Sequence, residues 1–509
     1  MFRKCKLIFI VCLSVFLLAA CSTESAKDQA GGKKEVNLLF NFATSSLDPN
    51  VDTSYVSLRA GITETLVHLN DEDLTIEPWL AKSWDSKDGQ LWNFELREGV
   101  TFQNGKPMDG KAVKASLERA MKDSPAIKNA LRIESIEADG NALTIKTEVP
   151  FPEFPSELVH PNTSIIDVKE SDYINKPIGT GPFAVSKFIP GTAVDLMRYE
   201  SYWDGAAKLE RARFSFNEDA NARSLALESG DADIVFRPEV ESLENLEAKD
   251  GVKVESTSTF RVHQMTMNLE RKALQDIHVR KAVDALIDRP SIAETILHGH
   301  AEVATGPFPS TFSFAPDYPK KANGTEAAKA FLDQAGYKKV DGVMQKDGKP
   351  LTFTLLTYSS RADLPLIAQV FQSDAGQLGI DVKIKQIEIP EEYMASNRDW
   401  DLTTYSNLTA PRGDAGYYLN ATYHPKGALN FSGADDDRLT SLIDELNVTV
   451  GQEERSDLAE EIAMYVDEQV YNSFILHPNT LVAYDADKVK NWITSRSEYY
   501  MLTNELDVK

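Results

Sequence analysis

The 509-residue chain reads as an α/β protein with two or three domains. Three observations lead there. Short strand-like runs alternate with amphipathic helical runs along the length, which suits mixed layers rather than a helical bundle or a sandwich. Residues 351–387 spell strand, turn, helix and strand, a unit suited to a parallel sheet, where neighbouring strands need a crossover. After the N-terminal segment about 490 residues remain, ample for several cores that need no bridges.

The first 21 residues carry Arg3, Lys4 and Lys6, an apolar run over 7–18, and then Ala19-Ala20-Cys21. A basic start, a short apolar stretch and small residues before a cysteine form a lipoprotein signal, and the apolar run is short for a permanent membrane span. Residues 1–20 are the expected signal peptide, and Cys21 the expected lipidated N-terminus. Its acyl chains would anchor the protein at about 0.8 kcal/mol per buried CH2. Residues 21–34 read as a flexible tether, rich in Ser, Lys, Gly, Ala and Gln without an apolar period.

Beyond the tether, Glu35–Phe40 is the first expected strand, followed by strands over 91–96 and 143–147. Between them, 110–121 is helical through Val113, Leu117 and Ala120. Residues 279–287 and 291–297 read as helices, the second with Ser291 as its cap and Glu294 three residues on. The strand 351–356 leads through the turn 358–361 into a helix over 364–378, which Gly379 ends before the strand 380–387. Helices follow over 437–447 and 453–469, and the tail returns to strand-like sequence at 474–484 and 499–502.

The three cysteines are Cys5, Cys12 and Cys21, so the mature chain has no disulfide, no thiol nucleophile and no cysteine zinc site. Net charge is -24, and loss of Arg3, Lys4 and Lys6 deepens it. Nucleic acid is thereby a poor partner, since phosphate neutralisation needs Lys and Arg patches. No Gly-x-Ser-x-Gly elbow or His-Glu-x-x-His is present, which counts against an exported hydrolase.

Specific strings then accumulate: Glu77-Pro78-Trp79-Leu80-Ala81-Lys82-Ser83-Trp84, Trp92-Asn93-Phe94-Glu95-Leu96-Arg97-Glu98-Gly99-Val100 and Asn104-Gly105-Lys106-Pro107. Gly179-Thr180-Gly181-Pro182-Phe183, Tyr202-Trp203, Leu227-Glu228-Ser229-Gly230-Asp231 and Val279-Arg280-Lys281-Ala282 follow in order. Gly105, Gly179 and Gly181 fit turns of positive φ or close approach, and the tryptophans bring large apolar areas. With these strings the chain resembles the dipeptide, oligopeptide and nickel solute-binding proteins of ABC importers. The resemblance implies a two-lobed periplasmic-binding-protein-like α/β fold with an extra subdomain in lobe one. Lobe one is expected over 35–268 plus 478–509, its subdomain at about 50–175, and lobe two over 269–477. It also implies a monomeric receptor without catalysis or prosthetic group, which closes on a solute and delivers it to a permease and its ATPases.

Cleft residues choose between a nickel chelate, for instance nickel with histidine, and a short peptide. The stretch 55–66, with Tyr55 and Arg59, resembles the first cleft loop of the nickel-type branch, and so does the turn 357–361 with Tyr358 and Arg361. Arg361 is expected to face the chelator's carboxylates, a task that suits the guanidinium fork. His477, in Phe474-Ile475-Leu476-His477-Pro478, is either a core histidine bonded to backbone or a metal ligand. The resemblance favours the ligand. His424 is the second choice, whereas His298 and His300 flank Gly299 in a helix-ending loop. In the cleft segment 405–418, Leu408 stands where a tryptophan is expected, leaving Tyr405, Tyr417 and Tyr418 as the aromatic wall beside Arg412. Asp414 is the candidate anchor for a peptide's amine.

Overall fold

The computed structural model describes residues 34–509 except Asp71 and Leu74. The expected signal peptide, Cys21 and the tether up to residue 33 lie outside the described residues.

The chain opens with β1 (Glu35–Phe40), then forms a separate four-stranded layer from β2 (Ala81–Ser86), β3 (Leu91–Leu96), β4 (Ile133–Asp139) and β5 (Ala142–Thr147) in the order β2-β3-β5-β4. β3 alternates exposed and buried residues, so Trp92, Phe94 and Leu96 face inward. Onto that face pack α1 (Gly110–Asp123), which Asp109 caps by accepting from the Ala112 N–H at 2.9 Å, and α2 (Pro125–Leu131). This layer is the subdomain inserted into lobe one.

Lobe one continues with β6 (Phe183–Ile189), β7 (Ala193–Arg198), β8 (Arg211–Phe216), α3 (Ala220–Ser229), β9 (Ile234–Phe236) and β10 (Val252–Ser258). Lobe two supplies β11 (Arg261–Met267), α4 (Ile277–Ala285), α5 (Arg289–Thr295), β12 (Ala301–Val303), α6 (Thr325–Gln334), β13 (Thr352–Thr357), α7 (Asp363–Gln377), β14 (Asp381–Gln386) and β15 (Leu402–Leu408). Three helices, α8 (Gly416–Tyr423), α9 (Asp437–Val448) and α10 (Gln452–Gln469), precede the long strand β16 (Asn472–Asp485).

Twelve strands make one sheet across both lobes, in the order β14-β13-β15-β11-β16-β9-β1-β8-β7-β6, with β10 and β12 also on β16. The pair β13 and β14 is parallel, in register from Thr352 opposite Asp381 to Thr357 opposite Gln386, as the strand-turn-helix-strand reading requires. β16 joins the lobes: its first half pairs with β11, and its second half pairs with β9 and β10. The chain crosses between lobes at Thr259-Phe260 and again at His477-Pro478, where the Thr259 hydroxyl donates to the Pro478 carbonyl at 3.0 Å.

Two local expectations need correction. Asp288, not Ser291, caps α5: its side chain accepts from the Ser291 N–H at 3.1 Å, and Pro290 occupies the first turn, where its missing N–H costs nothing. The stretch 499–502 is loop rather than strand. There Leu502 bonds the Arg59 backbone, and Tyr499 faces Tyr55.

The Trp-rich strings have a polar centre as well as an apolar one. Glu64 is buried and accepts from Trp79 Nε1 at 2.8 Å, Trp203 Nε1 at 3.1 Å and the Tyr202 hydroxyl at 2.7 Å. Burial raises its pKa, and these donors oppose that rise. Gly105 turns the chain at φ 81°, whereas Gly179 is needed for space: a Cβ there would sit 2.2 Å from the Ile62 carbonyl oxygen. Gly179→Ala should accordingly destabilise the fold by about 1–3 kcal/mol, read as a lower urea midpoint. An unchanged midpoint would mean that the 61–63 backbone yields freely.

Candidate functional site

The residues that gather at the two crossings are mostly charged, where a core would be apolar. All seven residues of β11 are buried, including Arg261, His263 and Gln264. Around them stand Arg59 from the first cleft loop, Arg237 just after β9, Arg361 before α7, and Glu498 from the C-terminal loop. Arg237 Nη2 donates to Glu498 Oε1 at 2.5 Å, as does the Thr480 hydroxyl at 2.7 Å, and Arg59 Nε donates to the Glu498 carbonyl at 2.8 Å. Burial opposes the Glu498 charge, but Arg237, Arg261, Arg59 and Arg361 hold its carboxyl far below the usual range. Tyr55, Arg237 and Glu498 all adopt left-handed backbone, at φ 50°, 51° and 63°. Such strain in residues other than glycine persists where surrounding contacts over-determine it, commonly at sites of function.

His263 Nε2 donates to Asp363 Oδ2 at 2.6 Å, and Asp363 is held well below the ordinary carboxylate range: burial works against the charge, but His263 and Arg361 favour it. Four guanidiniums, from Arg59, Arg237, Arg261 and Arg361, thus oppose two carboxylates, from Glu498 and Asp363. With Asp52 also near Arg59, the balance among the described residues is still an excess of positive charge before His263 is counted. Arg361 is the least satisfied of the four. It is half-buried, and among the described residues no hydrogen bond or ion pair reaches its guanidinium. Burial, with Arg261 and Arg237 nearby, pulls its pKa down to about 9. A carboxylate ligand would relieve that cost through a bidentate pair.

His477 is 3% exposed, and its Nδ1–H donates to the Arg261 carbonyl at 3.1 Å. Burial lowers its pKa to about 4, so it is neutral near pH 7. With the proton fixed on Nδ1, Nε2 keeps its lone pair and no partner, the tautomer a metal ligand needs. His160 is the opposite case. Its Nδ1 accepts from the Asn162 N–H at 3.1 Å, so its proton sits on Nε2, and its ring stands edge-on to Tyr55 at 5.5 Å.

The aromatic side of the site joins Tyr55, Tyr417 and Tyr499, whose hydroxyls have no hydrogen bond among the described residues. Arg412 lies over the Tyr417 ring at 4.2 Å.

Several expected contacts are already taken. Arg412 is paired with Glu157 of the lobe-one subdomain. Asp414 accepts from Arg455 Nη2 at 3.0 Å and from the Gly416 N–H at 2.5 Å, so a guanidinium holds the acid assigned to a peptide amine. The Tyr405 hydroxyl donates to Glu391 at 2.7 Å, and its ring packs in the lobe-two core. Tyr418 is buried and donates to Gln264 at 2.9 Å, which makes it core as well. His424 sits at the end of α8, with Nδ1 accepting from the Lys426 N–H at 3.1 Å and Nε2 3.4 Å from Asp444, away from the arginine cluster. Tyr358 accepts from the Ser406 N–H at 3.1 Å beside Arg361, and burial raises its pKa to about 12. The residues not foreseen are Arg237, Arg261, His263, Asp363, His160, Glu157, Tyr499 and Glu498. Arg261 and His263 do have a signal, as polar side chains within a run of strand-forming residues in Phe260-Arg261-Val262-His263.

The sequence pattern described as "Bacterial extracellular solute-binding proteins, family 5 Middle" matches residues 75–430. The chain belongs to this solute-binding family. The nickel-binding protein NikA of Staphylococcus aureus is 33% identical over 500 residues, 98% of each chain. The crystal structure of that NikA in complex with Ni(L-His)2 matches with a TM-score of 0.81, covering 94% of this chain and all of the other. A crystal structure described as a nickel ABC transporter from Bacillus halodurans is 64% identical, with a TM-score of 0.82 and the same coverage. The oligopeptide-binding protein AppA of Bacillus subtilis, in complex with a nonapeptide, shares the fold at 21% identity, with a TM-score of 0.77 over 94% of this chain and 99% of its own. The solute-binding protein is therefore an extracytoplasmic receptor type, and among the described residues no helix is long and apolar enough to cross a membrane.

Its site carries a pH signature. A solvated imidazole titrates near 6.5, whereas buried His477 resists protonation down to about 4, so on acidification the unfolded chain takes up this proton first. The stability tied to neutral His477 is full above pH 6.5 and is lost as pH falls toward 4, on the order of 2–3 kcal/mol. Urea unfolding at pH 7 and 4.5 should show a larger loss in wild type than in His477→Gln. Equal losses would place the proton uptake elsewhere.

Proposed function

We propose that this solute-binding protein captures a nickel chelate, with nickel plus free histidine as the leading candidate, by closing its lobes on it and passing it to an ABC permease. The observation that carries the reading is Arg361, a half-buried guanidinium that no hydrogen bond or ion pair reaches among the described residues, in a cluster with surplus positive charge. An anionic chelator's carboxylate answers that surplus, while His477 Nε2 offers one neutral donor to the metal. Among the described residues no group of three or more His, Cys, Asp or Glu side chains is placed to hold a metal. A bare ion would find an incomplete sphere there, whereas a chelate brings its own ligands. The unbonded hydroxyls of Tyr55, Tyr417 and Tyr499 and the His160 Nε2–H add donors for the chelator's remaining oxygens. The relatives' nickel and Ni(L-His)2 complexes support the same assignment.

The role is binding without chemistry, with no resident cofactor. Cys21 holds the protein at the outer face of the cell membrane as a lipid-anchored monomer, and the tether gives it reach to its permease and ATPases. A short peptide is the rival solute, but its expected amine anchor, Asp414, is engaged by Arg455.

Calorimetric titration tests the reading directly. Nickel with histidine should bind tightly, and nickel alone or a di- and tripeptide mixture weakly; tight peptide binding with indifference to nickel would overturn it. Arg361→Gln and His477→Ala should each weaken the chelate at least tenfold, about 1.4 kcal/mol. Unchanged affinity in His477→Ala would return that residue to the core.

A further inference from the structure

Two ion pairs join the subdomain of lobe one to the helices of lobe two. Glu153 and Glu157 bracket a single helical turn, Phe154–Glu157, whose Phe154 is anchored in the subdomain core against Trp92 and Phe94. Four residues apart, the two carboxylates project toward the same side. Glu157 meets Arg412, from the loop before α8, and Glu153 meets Arg455, from the first turn of α10. Both arginines belong structurally to lobe two: Arg455 also donates to the Leu446 and Thr449 carbonyls, at 2.5 Å and 3.1 Å. One apolar cluster runs beside these pairs from Phe94 and Phe154 to Tyr418 and Ile462, and it continues to Phe260 at the crossing.

The two pairs are not equivalent. Arg412 has one acid, whereas Arg455 is shared between Glu153 and Asp414. The charged groups facing Glu153 are Asp414 and Arg455; Asp73 lines the small cavity beside them, and Glu157 is turned to Arg412. We propose that Glu153 and Glu157 are positioning residues that form a two-point clasp between the subdomain and the helices that follow β15, Glu157 holding the lobes shut and Glu153 setting how that grip depends on pH. Neither needs to touch the solute.

The sign follows from burial. In the closed form, desolvation and then Asp414 push the Glu153 carboxyl up to about 7, against Arg455, which lowers it; a solvated glutamate titrates near 4.5. Closure therefore takes up a proton. The contribution of protonated Glu153 to closure is full below pH 4.5 and is lost as pH rises through 7. Above that, two carboxylates compete for one guanidinium in a desolvated setting, and release quickens.

Stopped-flow dissociation of nickel–histidine from the mature protein between pH 6 and 8.5 tests this, with wild type, Glu153→Gln and Glu157→Gln compared at each pH so that the chelate's own titration cancels. The wild-type rate should rise several-fold, up to about tenfold, relative to Glu153→Gln across the range. Glu157→Gln should release faster than wild type at every pH yet keep the wild-type pH profile. A constant ratio between wild type and Glu153→Gln would overturn the pH role, and a Glu157→Gln rate equal to wild type would overturn the clasp. Hydrogen exchange of the 153–157 amides gives the same comparison without ligand, with protection falling as pH rises in wild type but not in Glu153→Gln. A protein that bound no nickel–histidine but showed that difference would refute the ligand assignment and retain the clasp.

Discussion

Glu498 is the constraint on which the rest of this site depends. A single carboxylate, with its backbone turned into the left-handed region, faces guanidiniums from the first cleft loop, the end of β9, the crossing strand β11 and the start of α7. Four like charges brought this close without it would repel, and each would carry a desolvation cost of several kcal/mol. Glu498 comes from the C-terminal loop, so the last residues of the chain stabilise elements laid down more than 400 positions earlier, Arg59 among them. The same carboxylate is too little to neutralise all four arginines. That shortfall leaves positive charge that the proposed anionic chelate would answer, so on this reading the stabilisation of the fold and the affinity of the site draw on one charge balance.

The two buried histidines show how backbone bonding assigns chemistry to side chains of the same type. His477 spends Nδ1 as a donor and His160 spends it as an acceptor, so one presents a lone pair at Nε2 and the other a proton. Burial keeps both neutral near pH 7, each lowered to about 4. The local carbonyl or amide, more than the residue type, decides which can serve a metal and which an oxygen.

Much of the fold was legible because its elements satisfy local rules. Glu35–Phe40 begins and ends as its pattern predicts, the 351–387 unit closes as a parallel pair, and α9 needs only its apolar spacing and the Asp436 cap. The misreadings have local causes too. Asp288 outcompetes Ser291 as a cap because Pro290, two positions after it, sets the helix's first turn. The segment 499–502 looks like a strand by composition but has no free edge to join, since its backbone is spent on the Arg59 loop. The site was legible only in part. Arg361, Tyr55 and His477 lie in recognisable strings, whereas Arg237 and Glu498 sit in loops whose meaning appears when residues 261 apart come into contact. Arg412 and Asp414 were expected as a ligand contact and a peptide-amine anchor, but both are engaged in ion pairs, and their partners Glu157 and Arg455 lie in other elements that no spacing rule connects.

The strand β16 carries a mechanical consequence. Because it is continuous and pairs with β11 before His477-Pro478 and with β9 and β10 after it, an opening motion of the lobes would pivot within its own backbone. A group on the axis of a hinge is displaced least, and one at the rim most. Opening about that strand would leave His477, which lies on it, almost in place. On the proposed reading, a metal held by His477 would then be the last contact the protein releases.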